Sequence, residues 1–541
     1  MPGQPNLLLL FTDQHNAETG LGCAGGPHAR TPHLDRLAAE GMRFSEAYTA
    51  CPICTPTRAT VMTGQYPHRH GLTCNSDVDG NIAASIHELP LTDDLWSRRM
   101  ERAGYALGYS GKWHLGVGED RVFGDRPNRP VLPRDCGWEG QQFPGHGSGG
   151  WAYDEYRAYL VSRGWALRLR RDSQAARGAG ILDLPDEAHV ESWLADHTIS
   201  LIERFQAEGR PWCIWHNAWG PHTPCYVPPA WYERFADLTI EPWESFGAQP
   251  HDAYTAKSAA FTRDWESWQT YLRYYYAFIA FIDAQVGRIV EHLRERGWLD
   301  DTLVVHSADH GEYQGHYRGL GDKIYGHHRC IQQVPFILRP PASVSGPRGR
   351  VCDRLVSHVD LLPTFLDAAG QAADPGLPGR SLLDLWRGRD QGWRTHVGTE
   401  TFGSHLPTTQ ITLRTADWTY GFNAGGTDEL YDRRADRDET VNRVDDPACA
   451  AVLAGMREAM GAWMEETHVH PHGQRAFRAL RIVGGHPQGV QPARQRRLGI
   501  DRTAPVVRLQ RQRVTETAEP GLGEAEVEIL AFAEFVRVVL T

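Results

Sequence analysis

Short apolar runs alternate with stretches of helical periodicity along the first part of the chain, which is the pattern of parallel α/β folds. The apolar runs predict β-strands at Leu7–Phe11, Tyr105–Tyr109, Trp212–Asn217 and Leu303–His306. Two stretches between them, Thr31–Glu40 and the long Tyr271–Arg296, have the apolar spacing of helices. We therefore expect an α/β fold in which helices flank a mixed, mainly parallel sheet.

The pattern changes from about Trp393 onward. Gln410–Arg414 and Trp418–Asn423 have the texture of antiparallel strands, and an amphipathic helix is expected over about Pro447–Glu466. The chain then becomes basic and rich in Pro, Gln and Arg, without a convincing core pattern. We therefore divide it into a main α/β domain over residues 1–392, a smaller C-terminal α+β subdomain over 393–470, and a tail over 471–541.

Polar side chains follow within a few residues of the ends of the predicted strands. In the order of the chain, these side chains are Asp13 and Gln14, Lys112 and His114, His222, and Asp309 and His310. Open α/β sheets place their sites outside the carboxyl ends of parallel strands. We therefore expect these residues to meet at one edge of the sheet.

These clusters offer ligands for a cation and for an anion. Hard divalent cations prefer carboxylate oxygens, which Asp13 and Asp309 can supply. Lys112 and His114 lie two residues apart, so an extended backbone would point both side chains toward one anion. The alternatives are that the two aspartates cap helices, and that the other two residues are a surface lysine and a core histidine.

The stretch C-P-I-C-T-P-T-R, over residues 51–58, opens a short predicted helix. Thr55 is expected to cap this helix and Gly64 to end it. Cys54 would then lie just before a helix N-terminus, where free amides favour an anionic group. Two other interpretations stay open. Cys51 and Cys54 have the C-x-x-C spacing of a redox pair, or Cys54 is simply a small half-buried residue.

The pattern C-x-P-x-R from Cys54 to Arg58, followed by Thr63-Gly64, resembles the maturation signature of the type I sulfatases in the alkaline phosphatase superfamily. In that family the cysteine is oxidised to formylglycine, whose hydrated form is the nucleophile. The resemblance implies an alkaline-phosphatase-like α/β core with a smaller C-terminal sheet, so that residues 1–392 would be the catalytic domain. It also implies hydrolysis of an aryl or carbohydrate sulfate ester, with release of inorganic sulfate.

The same resemblance assigns roles to particular residues. One divalent cation, usually Ca²⁺ with Mg²⁺ or Mn²⁺ as alternatives, would be held by Asp13, Gln14, Asp309, His310 and the formylglycine at Cys54. By the same resemblance, Arg58 braces the nucleophile, and Lys112, Lys323 and Asn75 bind the anionic group. His114 would act as the general base, and His222 would contact and protonate the ester oxygen. Gln14 departs from the family pattern, which more often has a second aspartate, and it removes one negative charge from the metal site.

Phosphonate monoester and phosphodiester hydrolases are the nearest rival class, because they share this fold and the formylglycine. They also carry Asp–Gln at the first metal position, as Asp13 and Gln14 do here. The segment G-K-W-H-L-G, over residues 111–116, favours a sulfatase instead. A non-enzymatic alternative is an unmodified homologue that only binds metal.

Composition narrows the range of partners. The 67 acidic against 56 basic residues give a net charge of −11, which argues against general binding to nucleic acid or anionic membranes. No apolar run approaches the roughly 20 residues of a membrane span, and the N-terminus lacks the basic flank of a signal peptide. The 10 cysteines have no disulfide-framework spacing. We expect a cytoplasmic protein whose partners are a small-molecule or saccharide sulfate ester and the formylglycine-generating enzyme.

Overall fold

The structure is a computed structural model that describes residues 4–76, 86, 88–117, 130–146, 149–150, 153–251, 263–323, 325–403, 408–424, 426–470, 474, 477–478 and 481. The tail expected over 471–541 lies almost wholly outside these residues. Within the described ranges, none of the helices combines the length and the apolar character needed to cross a membrane.

Strands and helices are interspersed along the described part of the chain. The strands, in chain order, are β1 Asn6–Asp13, β2 Met42–Phe44, β3 Ala47–Tyr48, β4 Ala106–Gly111, β5 Glu139–Gly140, β6 Leu169–Arg171, β7 Ala179–Leu182, β8 Trp212–Pro221, β9 Cys225–Val227, β10 Thr302–Ala308, β11 Phe336–Arg339, β12 Arg350–Cys352, β13 Val356–Ser357, β14 Val397–Thr401, β15 Gln410–Arg414, β16 Trp418–Asn423 and β17 Glu429–Asp432. The α-helices are α1 Pro32–Glu40, α2 Cys54–Thr63, α3 Pro67–His70, α4 Trp96–Arg102, α5 Asp154–Ser162, α6 Val190–Ala207, α7 Pro229–Glu233, α8 Trp265–Glu295, α9 Arg329–Gln332, α10 Leu361–Ala368, α11 Leu382–Trp386 and α12 Ala450–Glu466, with a kinked turn at His316–Gly319.

An eight-stranded mixed sheet forms the centre of the fold, in the order β12-β2-β11-β10-β1-β8-β4-β5. The neighbouring strands β10, β1, β8 and β4 run parallel to one another, so their carboxyl ends lie at one edge. β11 is antiparallel to both of its neighbours, which makes the sheet mixed. The predicted α/β class, with a mainly parallel sheet, is confirmed.

β1 lies in the middle of the sheet because both of its faces are apolar. Leu7, Leu9 and Phe11 pack into the hydrophobic cluster on one face, and Leu8 and Leu10 into the cluster on the other. Each of these side chains is at most 1% exposed, and full burial of a leucine contributes roughly 1.5–3 kcal/mol. A strand that is buried on both faces has a continuous apolar sequence, which explains why it is easily recognised.

Helices cover both faces of the sheet. α8 is buried along most of its length and packs with α1 and α6 in one cluster, whereas α2, α4, α10 and α11 contribute to the other. The expected helix Tyr271–Arg296 begins earlier, at Trp265, because Asp264 caps it by accepting a hydrogen bond from the amide of Ser267 (2.9 Å).

A four-stranded antiparallel sheet, in the order β14-β15-β16-β17, lies in the C-terminal part of the chain. Its middle strands have the predicted bounds. α12 packs onto the sheet through Met460 and Trp463, in a cluster that also contains Leu430. The smaller C-terminal α+β subdomain is thereby confirmed, whereas its limits at residues 393 and 470 stay a prediction.

Candidate active site

The carboxyl edge of the central sheet collects the polar residues that follow its strands. β1 ends at Asp13, and Lys112, His222 and Asp309 directly follow β4, β8 and β10. The strand ends are level, since Asp13 pairs with Pro221, the last residue of β8. The side chains that the sequence places after separate strands therefore face one region.

α2 presents Cys54 to this edge as its first residue. The expected cap is wrong, because Ile53 precedes the helix and the Thr55 hydroxyl donates to the backbone oxygen of His114 (2.7 Å) instead. A tertiary contact thus takes the hydroxyl that the local pattern assigns to capping. The helix ends at Gly64 as expected, with a φ of 68° that suits glycine.

Four buried side chains converge beside the start of α2. The donor atoms of Asp13, Cys54, Asp309 and His310 all lie within 4.8 Å of one another. Cys54 Sγ lies 3.3 Å from His310 Nε2 and 3.9 Å from Asp13 Oδ1. All four residues are 0% exposed, so their charges require partners or a bound cation. The set fits a hard divalent cation, because two carboxylates supply its oxygen ligands.

Arg58 connects the two carboxylates. Its Nη2 donates to Asp13 Oδ2 and to Asp309 Oδ2, both at 3.1 Å. Its Nη1 donates to Asn217 Oδ1 (2.9 Å) and to the backbone oxygen of Lys112 (3.0 Å). The fully buried guanidinium therefore fixes the spacing of the aspartates. Asn217, on β8, is a site residue that sequence analysis missed.

Neighbouring cations keep Asp13 ionised in spite of its burial. Burial alone would raise the pKa of this carboxyl, but the positive charges of Lys112 and Arg58 hold it well below its usual value. Lys112 Nζ donates to Asp13 Oδ2 at 2.5 Å, which is a charge-assisted bond. Burial lowers the pKa of His310, which favours the neutral imidazole. These are the protonation states that metal ligands need.

Gln14 occupies the turn directly after β1, with a φ of 60°. Its backbone amide donates to Asp309 Oδ1 (3.0 Å), and its side-chain oxygen accepts from Lys323 Nζ (3.2 Å). Its side-chain nitrogen donates to the buried carboxylate of Glu312. Glu312, another residue that sequence analysis missed, therefore orients the Gln14 amide so that its oxygen faces Lys323.

His222 and Lys323 form a hydrogen-bonded pair. His222 Nδ1 lies 2.5 Å from the backbone oxygen of Thr223, which can only accept, so this nitrogen carries the proton. Nε2 then accepts from Lys323 Nζ (2.9 Å). Burial and the charge of Lys323 lower the pKa of His222 well below its usual value. Burial would also lower the pKa of Lys323, but the carboxylate of Asp322, 3.0 Å away, raises it.

His146, which sequence analysis missed, lies between the rings of His114 and His222. The ring centroids are 5.1 Å from His114 and 4.7 Å from His222. Burial and the charge of Lys112 lower the pKa of His146 well below its usual value. The sequence gives only a weak signal for this residue, because it is a single histidine in a glycine-rich stretch and follows none of the predicted strands.

The remaining predicted residue, Asn75, lies beside the start of α2, where its Oδ1 accepts from the amide of Thr55 (3.1 Å). The redox interpretation of Cys51 and Cys54 finds no support. Both are free thiols, and burial raises the pKa of Cys51 well above its usual value, whereas a reactive redox thiol needs a lowered pKa.

Comparison with known proteins gives the family. The model of the Sulfatase family matches residues 5–371, and the model of the C-terminal region of N-sulphoglucosamine sulphohydrolase matches residues 315–466. The chain is 28% identical to the uncharacterized sulfatase YidJ of Escherichia coli K12 over 476 residues, which are 86% of this chain and 88% of that protein. It is 28% identical to choline-sulfatase of Rhizobium meliloti over 468 residues, with 82% and 83% covered.

Solved structures show the same fold. The phosphonate monoester hydrolase of Agrobacterium radiobacter superposes with a TM-score of 0.71 at 24% identity, covering 86% of this chain and 96% of that one. The Sulfatase model spans all of the site residues named above, from Asp13 to Lys323. The chain belongs to the sulfatase family of hydrolases.

Proposed function

We propose that this protein hydrolyses an aryl or carbohydrate sulfate ester to inorganic sulfate and the free alcohol. The observation that carries the proposal is the position of Cys54 at the start of α2, with the donor atoms of two aspartates and a histidine within 4.8 Å. Residue 54 acts as formylglycine in this proposal. One divalent cation, Ca²⁺ or alternatively Mg²⁺ or Mn²⁺, is bound beside it.

Side chains already gathered at the sheet edge would hold the cation. They are Asp13, Gln14, Asp309, His310 and residue 54. When bound, the cation supplies positive charge that polarises a sulfuryl oxygen and acidifies a hydroxyl. Arg58, Lys112 and Lys323 add further positive charge around the two aspartates. Such an excess of positive charge favours an anionic substrate.

Residue 54 is the nucleophile in this proposal. When formed, the hydrated formylglycine supplies one hydroxyl as the nucleophile and a second hydroxyl that allows residue 54 to release sulfate again. The N-terminus of α2 favours negative charge at this position. Asn75 and the backbone of His114 hold the first turn through Thr55, so the nucleophile has a fixed direction.

Lysines and histidines around residue 54 would bind the sulfuryl group and move protons. Lys112 and Lys323 bind the sulfuryl oxygens and stabilise the charge that develops on them. Lys323 donates to His222 Nε2 (2.9 Å), so this pair holds an exchangeable proton for the departing oxygen. His114 accepts the proton that residue 54 loses when sulfate leaves.

Maturation has to precede folding in this proposal. Cys54 and Arg58 are both 0% exposed in the folded chain. A formylglycine-generating enzyme that reads these residues therefore needs the segment before α2 packs against the sheet. We expect oxidation of Cys54 during synthesis and none in the purified, folded, unmodified protein.

Mass spectrometry of the peptide that contains residue 54 tests the modification. Conversion of the thiol to the aldehyde lowers the peptide mass by about 18 Da. The protein should be produced with and without a formylglycine-generating enzyme, and sulfate release measured for both. An unmodified peptide together with no hydrolysis would favour the alternative of a non-catalytic metal-binding homologue.

Cys54→Ser separates the two hydroxyls of the proposed nucleophile. The variant keeps one hydroxyl, so it should accept sulfate once, gain about 80 Da, and stall. Cys51→Ser is the matched control, because Cys51 is equally buried and precedes the helix. It should retain turnover. Full multiple turnover by Cys54→Ser would contradict the proposed mechanism.

Hydrolysis of a phosphonate monoester or phosphodiester is the second candidate. Gln14 favours it, because this neutral residue stands where sulfatases more often have an aspartate and where those relatives have glutamine. Lys112 and His114 favour sulfate. A comparison of kcat/KM for 4-nitrophenyl sulfate, a phenylphosphonate monoester and a phosphate diester decides between them. We expect the highest value for the sulfate, and a clear preference for the phosphonate would reverse the order of the two candidates.

A further inference from the structure

A buried glutamate lies behind the loop that carries His222. Glu191 is in the first turn of α6 and is 1% exposed. Its Oε1 accepts hydrogen bonds from the backbone amides of Trp219 and Gly220, both at 2.9 Å. None of the site roles described above involves Glu191.

The two amides that Glu191 binds lie where the sheet ladder is interrupted. β8 pairs with β4 only as far as Asn217, and its pairing with β1 passes from Asn217 to Pro221 with a shift of register. Trp219 and Gly220 fall within that interval. Buried backbone amides that leave a ladder need another acceptor. The Glu191 carboxyl supplies it and so replaces a neighbouring strand.

The end of β8 determines where His222 lies. Gly220 is two residues before His222, and the Trp219 indole donates to the backbone oxygen of His146 (2.6 Å). On the far side, the Thr223 hydroxyl donates to the backbone oxygen of Gly178 (3.0 Å). His222 is therefore held between two anchored points, and Glu191 forms the anchor on the strand side.

The geometry of one oxygen, rather than charge, explains this contact. Glu191 Oε2 has no hydrogen-bond partner among the described residues, so the bonding of the carboxyl consists of the two amides. Burial raises the pKa of Glu191 to about 8. A neutral carboxyl at this position keeps the same acceptor oxygen, as would an amide.

We propose that Glu191 is a positioning residue for leaving-group protonation, which holds the end of β8 so that His222 Nε2 stays beside Lys323 Nζ and faces the ester oxygen. This inference rests on the proposed hydrolysis of sulfate esters. It assigns Glu191 no contact with the substrate. The effect of losing Glu191 should therefore depend on how much the leaving group needs a proton.

A series of aryl sulfates with leaving groups of increasing pKa tests the inference. The 4-nitrophenolate ion leaves without protonation, whereas phenolate needs a proton from the enzyme. Misplacing a catalytic group by about 1 Å can cost about 100-fold. We expect Glu191→Ala to lower kcat/KM by about 10- to 100-fold on phenyl sulfate and by less than about threefold on 4-nitrophenyl sulfate.

Asp283 provides a matched control on another helix. This buried carboxyl on α8 accepts hydrogen bonds from two consecutive amides, those of His33 (3.1 Å) and Leu34 (2.8 Å). Asp283→Ala should lower the melting temperature and change kcat/KM equally for every ester. Glu191→Gln should restore the wild-type dependence on leaving group, because the amide oxygen still accepts both bonds.

Three results would overturn the inference. Glu191→Ala could lower kcat/KM by the same factor for every ester, it could leave kcat/KM unchanged for every ester, or it could keep its selective effect in a His222→Ala background. If Glu191→Ala does not fold, Glu191→Asp keeps a shorter carboxylate, and the same leaving-group dependence should appear at smaller amplitude. A wild type that hydrolyses none of the esters overturns the proposed function, whereas an active wild type with insensitive Glu191 variants overturns only this inference.

Discussion

Glu312 explains why a glutamine can stand at the second position of the metal pair. Gln14 donates its side-chain amide to Glu312, and both residues are 0% exposed. Gln14→Asp replaces the donor by a carboxylate that faces another buried carboxylate. The lost hydrogen bond to a charged group costs about 1.5–3 kcal/mol. Two like charges about 5 Å apart repel by about 3 kcal/mol at an effective dielectric constant of about 20.

We therefore expect Gln14→Asp to destabilise the metal-free protein by roughly 5 kcal/mol. The second change Glu312→Gln should recover most of this loss, because its amide can donate to the new carboxylate. Burial raises the pKa of Glu312 to about 7, so the comparison belongs at a pH of about 8.5, where the carboxyl is ionised.

The assay is thermal unfolding of the wild type, both single variants and the double variant in the presence of a chelator, repeated with Ca²⁺. Ca²⁺ should narrow the deficit of Gln14→Asp, because the cation gains a carboxylate ligand. The result that refutes the reasoning is additivity of the two changes, in which the free-energy loss of the double variant equals the sum of the losses of the single variants. A double variant no more stable than Gln14→Asp would show that Glu312 does not determine the residue at position 14.

Three further predictions concern the charges of the site and the pair formed by His68 and Glu400. Arg58→Met removes the bridge between Asp13 and Asp309. Chemical denaturation should therefore show that the free energy of unfolding falls by about 3–5 kcal/mol. An unchanged denaturation midpoint would contradict the bracing role. Chelation should abolish sulfate release and added Ca²⁺ restore it, whereas activity that survives exhaustive chelation would exclude a required cation. His68 Nδ1 lies 2.6 Å from Glu400 Oε1. Burial works to lower the pKa of His68, but Glu400 raises it above its ordinary value of 6.5. The stability from this pair is therefore fully present below pH 6.5 and lost as the pH rises through the raised pKa, and His68→Gln should remove that part of the pH dependence of the melting temperature.

The sequence is most informative where chemistry and local pattern coincide. Asp13 and Asp309 follow apolar strands, and parallel strands bring their carboxyl ends to one edge. Their proximity therefore follows from strand order and register. Cys54 and Arg58 lie one helical turn apart in α2, which a local pattern also predicts.

The rest of the site depends on contacts between distant parts of the chain. Glu191 and Asn217 act through bonds to backbone or side chains that no local spacing reveals. His146 comes near His222 only because the sheet and its connections fold together. The Thr55 cap is wrong for the same reason, since the hydroxyl finds the backbone oxygen of His114. Local propensity cannot anticipate such competition.

The most direct test of the account is sulfate release measured against the fraction of chains in which residue 54 has become an aldehyde. Preparations made with graded amounts of a formylglycine-generating enzyme supply that range, and mass spectrometry gives the converted fraction. The account predicts a turnover rate per chain that is proportional to conversion and reaches zero with the unmodified cysteine. Equal turnover by unconverted and converted chains would contradict it.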